Sequence, residues 1–304
     1  MSNQYDAVFR TLVNDCPKLL ISFVNEVFEE HYPAETPVKF HPNEHFVNQK
    51  DGKLSERITD TCFEILGKVS QKYHLECQSS SDNSMLIGMF EYGAQIALDQ
   101  GELKENVLTV NFPNAAILYL RCISTTPDKV RVIITSPAGE LHYEVAVVKI
   151  HSYTLEKIFN KNLLFLIPFY IFTHESRFAL YNKDEKQLNA LQIEYGYIRN
   201  KLEELSISGD ITEYTKRVIL ELSVKVVESL TKNYAQVQKG VWNIMVGKVI
   251  ETEAKTILNQ GISQGITQGK IDTYLELLRD GLISVTDAAK RLCLSEDAVK
   301  EMMK

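Results

Sequence analysis

The sequence lacks several features that would each announce a class of protein. Its most apolar stretch, LLFLIPFYIF at 163–172, is about half the ~20 residues a membrane-spanning helix needs. Pro168 also interrupts it, so it predicts a buried helix or strand and no membrane partner. The N-terminal MSNQYDAVFR carries no apolar run of the kind a secretory signal has. The five cysteines, Cys16, Cys62, Cys77, Cys122 and Cys293, are scattered without a CxxC spacing. That argues against a disulfide framework and a zinc site, and fits a reducing cytoplasm. Glycine-rich phosphate cradles, GxGxxG and GxSxG are all absent, which counts against an NTPase, a dinucleotide-binding enzyme and a serine hydrolase of the nucleophile-elbow type. Positive charge is scarce too. With 33 Lys and Arg against 40 Asp and Glu, the net charge of −7 has the wrong sign for a protein that coats nucleic acid nonspecifically. A local basic groove can still sit inside an acidic total, and metal-dependent nucleases need acids for their ions. DNA therefore stays open as a partner.

What is present is a 304-residue chain, 44% hydrophobic and 24% charged, long enough for a sizeable core. Residues 5–30 place Val8, Phe9, Leu12, Leu19, Leu20, Phe23, Val24, Val27 and Phe28 at helical spacing, with Pro17 separating two segments or starting the second. A polar, loop-rich stretch then runs to about Glu56, with KDGK as a turn signal. RITDTCFEIL (57–66) and KYHLECQ (72–78) read as strands joined by a hairpin, and 85–100 reads as a helix with Asp82 or Ser84 as its N-cap. AAILYLRC (115–122), KVRVIITS (129–136) and LHYEVAVVKI (141–150) read as strands, the last two joined through PAGE.

This order predicts an α/β or α+β domain over 1–178, followed by a helical extension over 179–255 with one break at SISGDIT. The remainder, 256–304, has two parts. Gly261, Gly265 and Gly269 recur every four residues; this suits either a hinge or a helix that lets a neighbouring backbone approach. The last residues suggest two short helices, with Ser284 and Ser295 as caps. They resemble a helix-turn-helix, but Glu296, Asp297 and Glu301 would meet phosphate badly, so an oligomerisation or docking unit is an equal alternative.

The residues with chemical potential cluster on the two strands of the hairpin. Alternation puts His74, Glu76 and Gln78 on one face of 72–78, and Tyr73, Leu75 and Cys77 on the other. If the register brings Asp60 across from Glu76, their carboxylates converge on one ion, with the Cys77 carbonyl as a further oxygen. Gln78, on the same face, can orient a water. The bland alternative is a polar, solvent-facing strand. His41 and His45 are four apart, but Pro42 between them spoils a helical metal pair.

In the D…ExQ arrangement of Asp60, Glu76 and Gln78, the chain resembles the PD-(D/E)XK nuclease fold. YDAVFRTLVNDCPKLLISFVNEVF, RITDTCFEI, YHLECQSSSDNSM, MFEYGAQIAL, LLFLIPFYIF and the glycine-repeat tail are more closely similar, in the same order, to the bacterial recombination-promoting nuclease and transposase (Rpn) family. The resemblance implies a restriction-endonuclease-like core, a central mixed sheet flanked by helices, with a C-terminal helical region. It further implies Mg²⁺-dependent cleavage of DNA, with Mn²⁺ as an alternative ion, in recombination or mobile-element activity. By the same resemblance Asp60, Glu76 and Gln78 are catalytic, and Asp60, Glu76 and the Cys77 carbonyl hold the metal. Gln78 stands where lysine is usual, and Gly88 where relatives often carry arginine, so a degenerate member that only binds DNA or a protein is the alternative. Self-association through the C-terminal helices is also expected. Asp6 and Glu44 lie in matching blocks and are read as structural.

Overall fold

A computed structural model describes residues 4–41, 44–48, 54–58, 61–79, 84–99 and 101–246, together with 284, 285 and 288. The chain divides into two compact units, Met1–Met245 and Val246–Lys304.

The first unit opens with α1 (Gln4–Asp15) and α2 (Leu19–Phe28), split at Pro17 as the sequence predicts. The stretch to Glu56 is not a loop. It contains β1 (Val38–Phe40), β2 (Glu44–Asn48) and the start of β3 (Leu54–Ile58), with β2 and β3 forming a separate two-stranded sheet. The expected single strand 57–66 is likewise corrected: Arg57 and Ile58 belong to β3, whereas β4 (Thr61–Ile65) joins the main sheet. Continuous β-compatible sequence cannot by itself reveal that a chain changes sheets partway.

From there the chain runs through β5 (Gln71–Gln78), α3 (Ser84–Leu98), a small hairpin of β6 (Glu102–Lys104) and β7 (Val107–Thr109), then β8 (Asn114–Tyr119), β9 (Lys129–Ser136) and β10 (Gly139–Lys149). The β6–β7 hairpin is not foreseen in the sequence; its strands are three residues long and fully exposed, so no burial pattern marks them. The main sheet has the order β1-β4-β5-β8-β10-β9. β5 pairs antiparallel with β4 and parallel with β8, and β8 is parallel to β10. Helix α3 is the crossover between β5 and β8, since parallel neighbours need a long connection.

Each face of the central strands is covered, while β9 and the first half of β10 stay largely exposed; the unit is an α/β body with a mixed six-stranded sheet. On one face Met85, Leu86 and Met89 of α3 pack against Ala115, Ile117, Tyr119, Val145 and Val147. On the other, Phe28 of α2 meets Tyr73 at 5.1 Å between ring centroids, and Phe63 stacks on Tyr73 at 5.6 Å. Below α1 and α2 lies the apolar stretch of the sequence. After α4 (Leu155–Asn160), Leu164–Arg177 runs as a 14-residue 3-10 helix, far longer than such helices usually extend. It is buried from Leu164 through Phe172, and Pro168, which has no N–H to donate, lies within it. Phe165 meets Phe9 edge-on at 5.3 Å and Phe23 at 5.2 Å, while Phe172 meets Tyr5 at 5.0 Å.

The chain continues through α5 (Phe178–Tyr181), α6 (Glu185–Ser208), α7 (Glu213–Leu230) and α8 (Ala235–Met245). Capping residues fix these ends. Asp184 accepts from the amides of Lys186 and Gln187, and Thr212 accepts from that of Thr215. Gly209, at φ 85°, closes α6 in the left-handed conformation that glycine adopts without strain. Over 179–255 the helices thus break at 182–184 and at 231–234 as well as at the expected SISGDIT. Helix α7 packs against α1 and the 3-10 helix, and Tyr214 donates to Asp15 at 3.2 Å. In the second unit, the amide of Ala288 donates to the Ser284 carbonyl at 3.0 Å, a helical turn at the position of the first expected short helix.

Phe165 is fully buried at the meeting point of α1, α2 and the 3-10 helix. Phe165→Ala is expected to cost about 3–5 kcal/mol of unfolding free energy, whereas Lys201→Ala, which removes an exposed ion pair on α6, should cost under about 1 kcal/mol. Urea unfolding of the two variants checks the contrast; equal losses would mean that the aromatic cluster does not anchor the fold.

Candidate functional site

Strand β5 is the centre of the site because it is paired on both edges and covered on both faces. Its alternation is as the sequence predicts, but its setting is not that of a solvent-facing strand: His74 is fully buried and Glu76 is 5% exposed. Tyr73, Leu75 and Cys77 are buried on the opposite side, so the Cys77 thiol turns away and only its backbone could serve the site.

On the α3 face, the strand register puts Cys62 beside His74, then Ala115 and Val145 further along the same row. Glu76 is level with Ile117 and Val147, and Gln78 with Tyr119 and Lys149. Glu76 thus enters a row that is otherwise apolar. Its carboxylate is held there by His74, whose Nε2 lies 2.9 Å from Glu76 Oε1. A carboxylate can only accept, so with Glu76 ionised the hydrogen of this bond sits on Nε2, which leaves Nδ1 as the imidazole's other polar atom. That Nδ1 is buried and finds no hydrogen-bond partner among the described residues. The imidazole meets Tyr92 of α3 edge-on, 5.9 Å between centroids.

His74 is not among the site residues that the sequence singles out. The signal for it was the H-x-E spacing itself, which on a strand places two side chains on one face two residues apart. Gln78 is half-buried at the end of the strand, and its carbonyl accepts from the Leu120 amide at 2.9 Å. Asp60 lies outside the described residues, and Thr61 opposite Leu75 is the last described pair on that side. Glu44 is in β2, opposite Ile58, and Asp6 is in the first turn of α1.

His41 Nε2 is 3.4 Å from Glu64 at a poor hydrogen-bonding angle, and His45 stands opposite Arg57 in the separate β2–β3 sheet. The Cys62 thiol is pushed up to about 11 by burial, which disfavours the thiolate a nucleophile needs. At Gly88 on α3, an added Cβ would meet only a Tyr92 ring carbon, at 3.8 Å. Packing therefore does not demand glycine there.

Among the described residues, no three or more His, Cys, Asp or Glu side chains come together to hold a metal ion. Glu76 offers a carboxylate and Gln78, two residues further along the same strand face, an amide, a donor set that suits Mg²⁺ or Mn²⁺ only with further oxygens.

His74→Leu takes a donor from a nearly buried carboxylate and should cost about 1–3 kcal/mol of stability. Adding Glu76→Leu should recover much of that loss, because the two groups answer each other. A double-mutant cycle by chemical unfolding reads the coupling; additivity within about 0.5 kcal/mol would mean that the pair is not energetically linked.

Comparison with protein-family models, with curated proteins and with solved structures finds no match to this chain.

Proposed function

We propose that this chain is a metal-dependent DNA endonuclease of the PD-(D/E)XK type, working in the cytoplasm on recombining or mobile DNA. The observation that carries the reading is Glu76: a carboxylate almost removed from water on the central strand of a mixed sheet, with Gln78 at the strand end beside it. Carboxylates are rarely buried without a task or a partner. The element order adds support. Helices α1 and α2 precede the antiparallel strands β1, β4 and β5, α3 crosses over, and β8 returns parallel to β5, which makes a central mixed sheet flanked by helices of the general kind the nuclease resemblance implies.

In this reading Glu76, Asp60 and the Cys77 carbonyl hold Mg²⁺ or Mn²⁺. The ion supplies Lewis acidity toward the scissile phosphate and a lowered pKa for water. Gln78 orients the attacking water through its amide, doing by hydrogen bonding alone what a lysine would do with charge. His74 holds the Glu76 carboxylate in a fixed rotamer, and α3 keeps bulk water from the rest of the row.

A second reading is a member of the same fold that binds DNA or protein without cutting, and assembles through its C-terminal helices. The observation in its favour is that His74 already occupies one oxygen of Glu76, while the described residues assemble no three-ligand metal group.

Plasmid nicking with Mg²⁺, Mn²⁺ or EDTA separates the two. The endonuclease reading expects metal-dependent nicking that falls to the EDTA level in both Asp60→Ala and Glu76→Gln, with circular dichroism unchanged. Wild-type protein that is folded and never nicks with either ion overturns it in favour of the binding reading. In a chain that nicks, Gln78→Lys should raise the rate if the amide merely replaces a lost cation, and lower it if the site is built around an amide.

A further inference from the structure

The parallel strands β5, β8 and β10 end together. Gln78, Tyr119 and Lys149 form one register row on the α3 face, roughly 10 Å across by two strand spacings. In open sheets of this kind, ligands bind beyond the carboxyl ends of the parallel strands. Two cations stand at that edge, and both are held by carboxylates that solvent can reach.

Lys149 Nζ lies 2.8 Å from Asp128 Oδ1; the lysine side chain is 18% exposed and that of Asp128 is 92% exposed. Arg121, two residues beyond β8, donates from Nε and Nη2 to the two oxygens of Glu175, at 2.6 and 2.7 Å. Its guanidinium also lies 4.9 Å above the Phe172 ring. The strand ends are tied together around them: the Leu120 amide donates to Gln78, and Cys122 Sγ sits 3.9 Å from His151 Nδ1. Both cations are therefore held at the carboxyl ends of the parallel strands, Lys149 at the end of β10 and Arg121 just past β8 against the 3-10 helix, while Gln78 at the end of β5 brings no charge of its own.

Asp128 is open to water and its ion pair contributes little stability, so Lys149 can change partners cheaply, whereas the bidentate Arg121–Glu175 pair is stronger and yields only to an acceptor that matches the same fork. A phosphate diester offers an acceptor that matches the guanidinium fork and takes an ammonium as a point charge. We propose that this edge is a DNA-phosphate rim, on which Lys149 and Arg121 take backbone phosphates in place of Asp128 and Glu175. The proposal rests on the DNA reading above for its choice of ligand, but not on cleavage. It also accounts for how a chain of net charge −7 would present positive charge to DNA: the cations are few, local and masked until the ligand arrives.

The test is binding of a short labelled duplex by fluorescence anisotropy over a salt series, in EDTA. Lys149→Gln and Arg121→Gln should each reduce the slope of log affinity against log salt by about 0.9, the share of one phosphate contact. Asp128→Asn and Glu175→Gln, which release the cations, should tighten binding, a gain that misfolding cannot imitate. Lys201→Gln, on α6 and paired with Glu204, removes one cation elsewhere and should leave the slope unchanged. The rim is overturned if the wild type shows no salt-dependent binding. It is also overturned if Lys149→Gln and Arg121→Gln keep the wild-type slope, or if Lys201→Gln lowers it as much. Nicking with unchanged slopes would remove the rim and leave the endonuclease. Changed slopes without nicking would leave the rim and remove the endonuclease.

Discussion

Burial of β5 on both faces and both edges is the constraint from which the rest of the site follows. A strand so enclosed offers no water to a polar side chain, so each one must find a protein partner or sit at the strand's end. His74 and Glu76 answer one another, and Gln78 stands where the sheet stops. The opposite face of the same strand is committed to aromatic packing through Tyr73. The chemistry on one face is thus braced by rings on the other, and a shift in α1 or α2 would be felt at the carboxylate through a single strand's thickness.

The second layer depends on an irregular element. The 3-10 helix Leu164–Arg177 has few of the backbone advantages of an α-helix, so its position is set by side chains: Phe165 against Phe9 and Phe23, Phe172 against Tyr5. At its C-terminal end the packing turns polar. His174 is buried beside the Tyr181 hydroxyl and the Arg177 guanidinium, each 3.0 Å from Nδ1, and Tyr170 donates to Glu194 of α6 at 2.7 Å. Glu175 of the same turn holds Arg121, so one short segment joins α6, α5 and the strand ends.

Much of the fold was legible because burial leaves a period in the sequence. The alternation of Tyr73, Leu75 and Cys77 against His74, Glu76 and Gln78 was readable, as were the helical spacing of Val8, Phe9 and Leu12 and the β9–β10 hairpin, whose ends fell within two residues. What was not legible lacked a period or depended on distant partners. β2 and β3 pair in a sheet of their own, and the exposed residues of β6 and β7 carry no hydrophobic signal. For the site, the sequence offered Glu76 and Gln78 as a pair. The burial of Glu76 and its bond to His74 could not be read, because both depend on α3 lying across the strand. Lys149 and Arg121 are equally hidden in the sequence: more than 40 residues of chain separate them from Gln78, and only the parallel register brings Lys149 level with it and Arg121 just beyond.

The pairing of α1 with α7 has a consequence for how the protein is made. Tyr214 and Asp15 are 199 residues apart in the chain, and the helices they join pack together. At about 5–20 residues per second, a ribosome delivers α7 roughly 10–40 seconds after α1 has been synthesised. Through that interval the side of α1 that will meet α7 has no final cover. Until α7 arrives, that side of the first helix is left to solvent in the nascent chain.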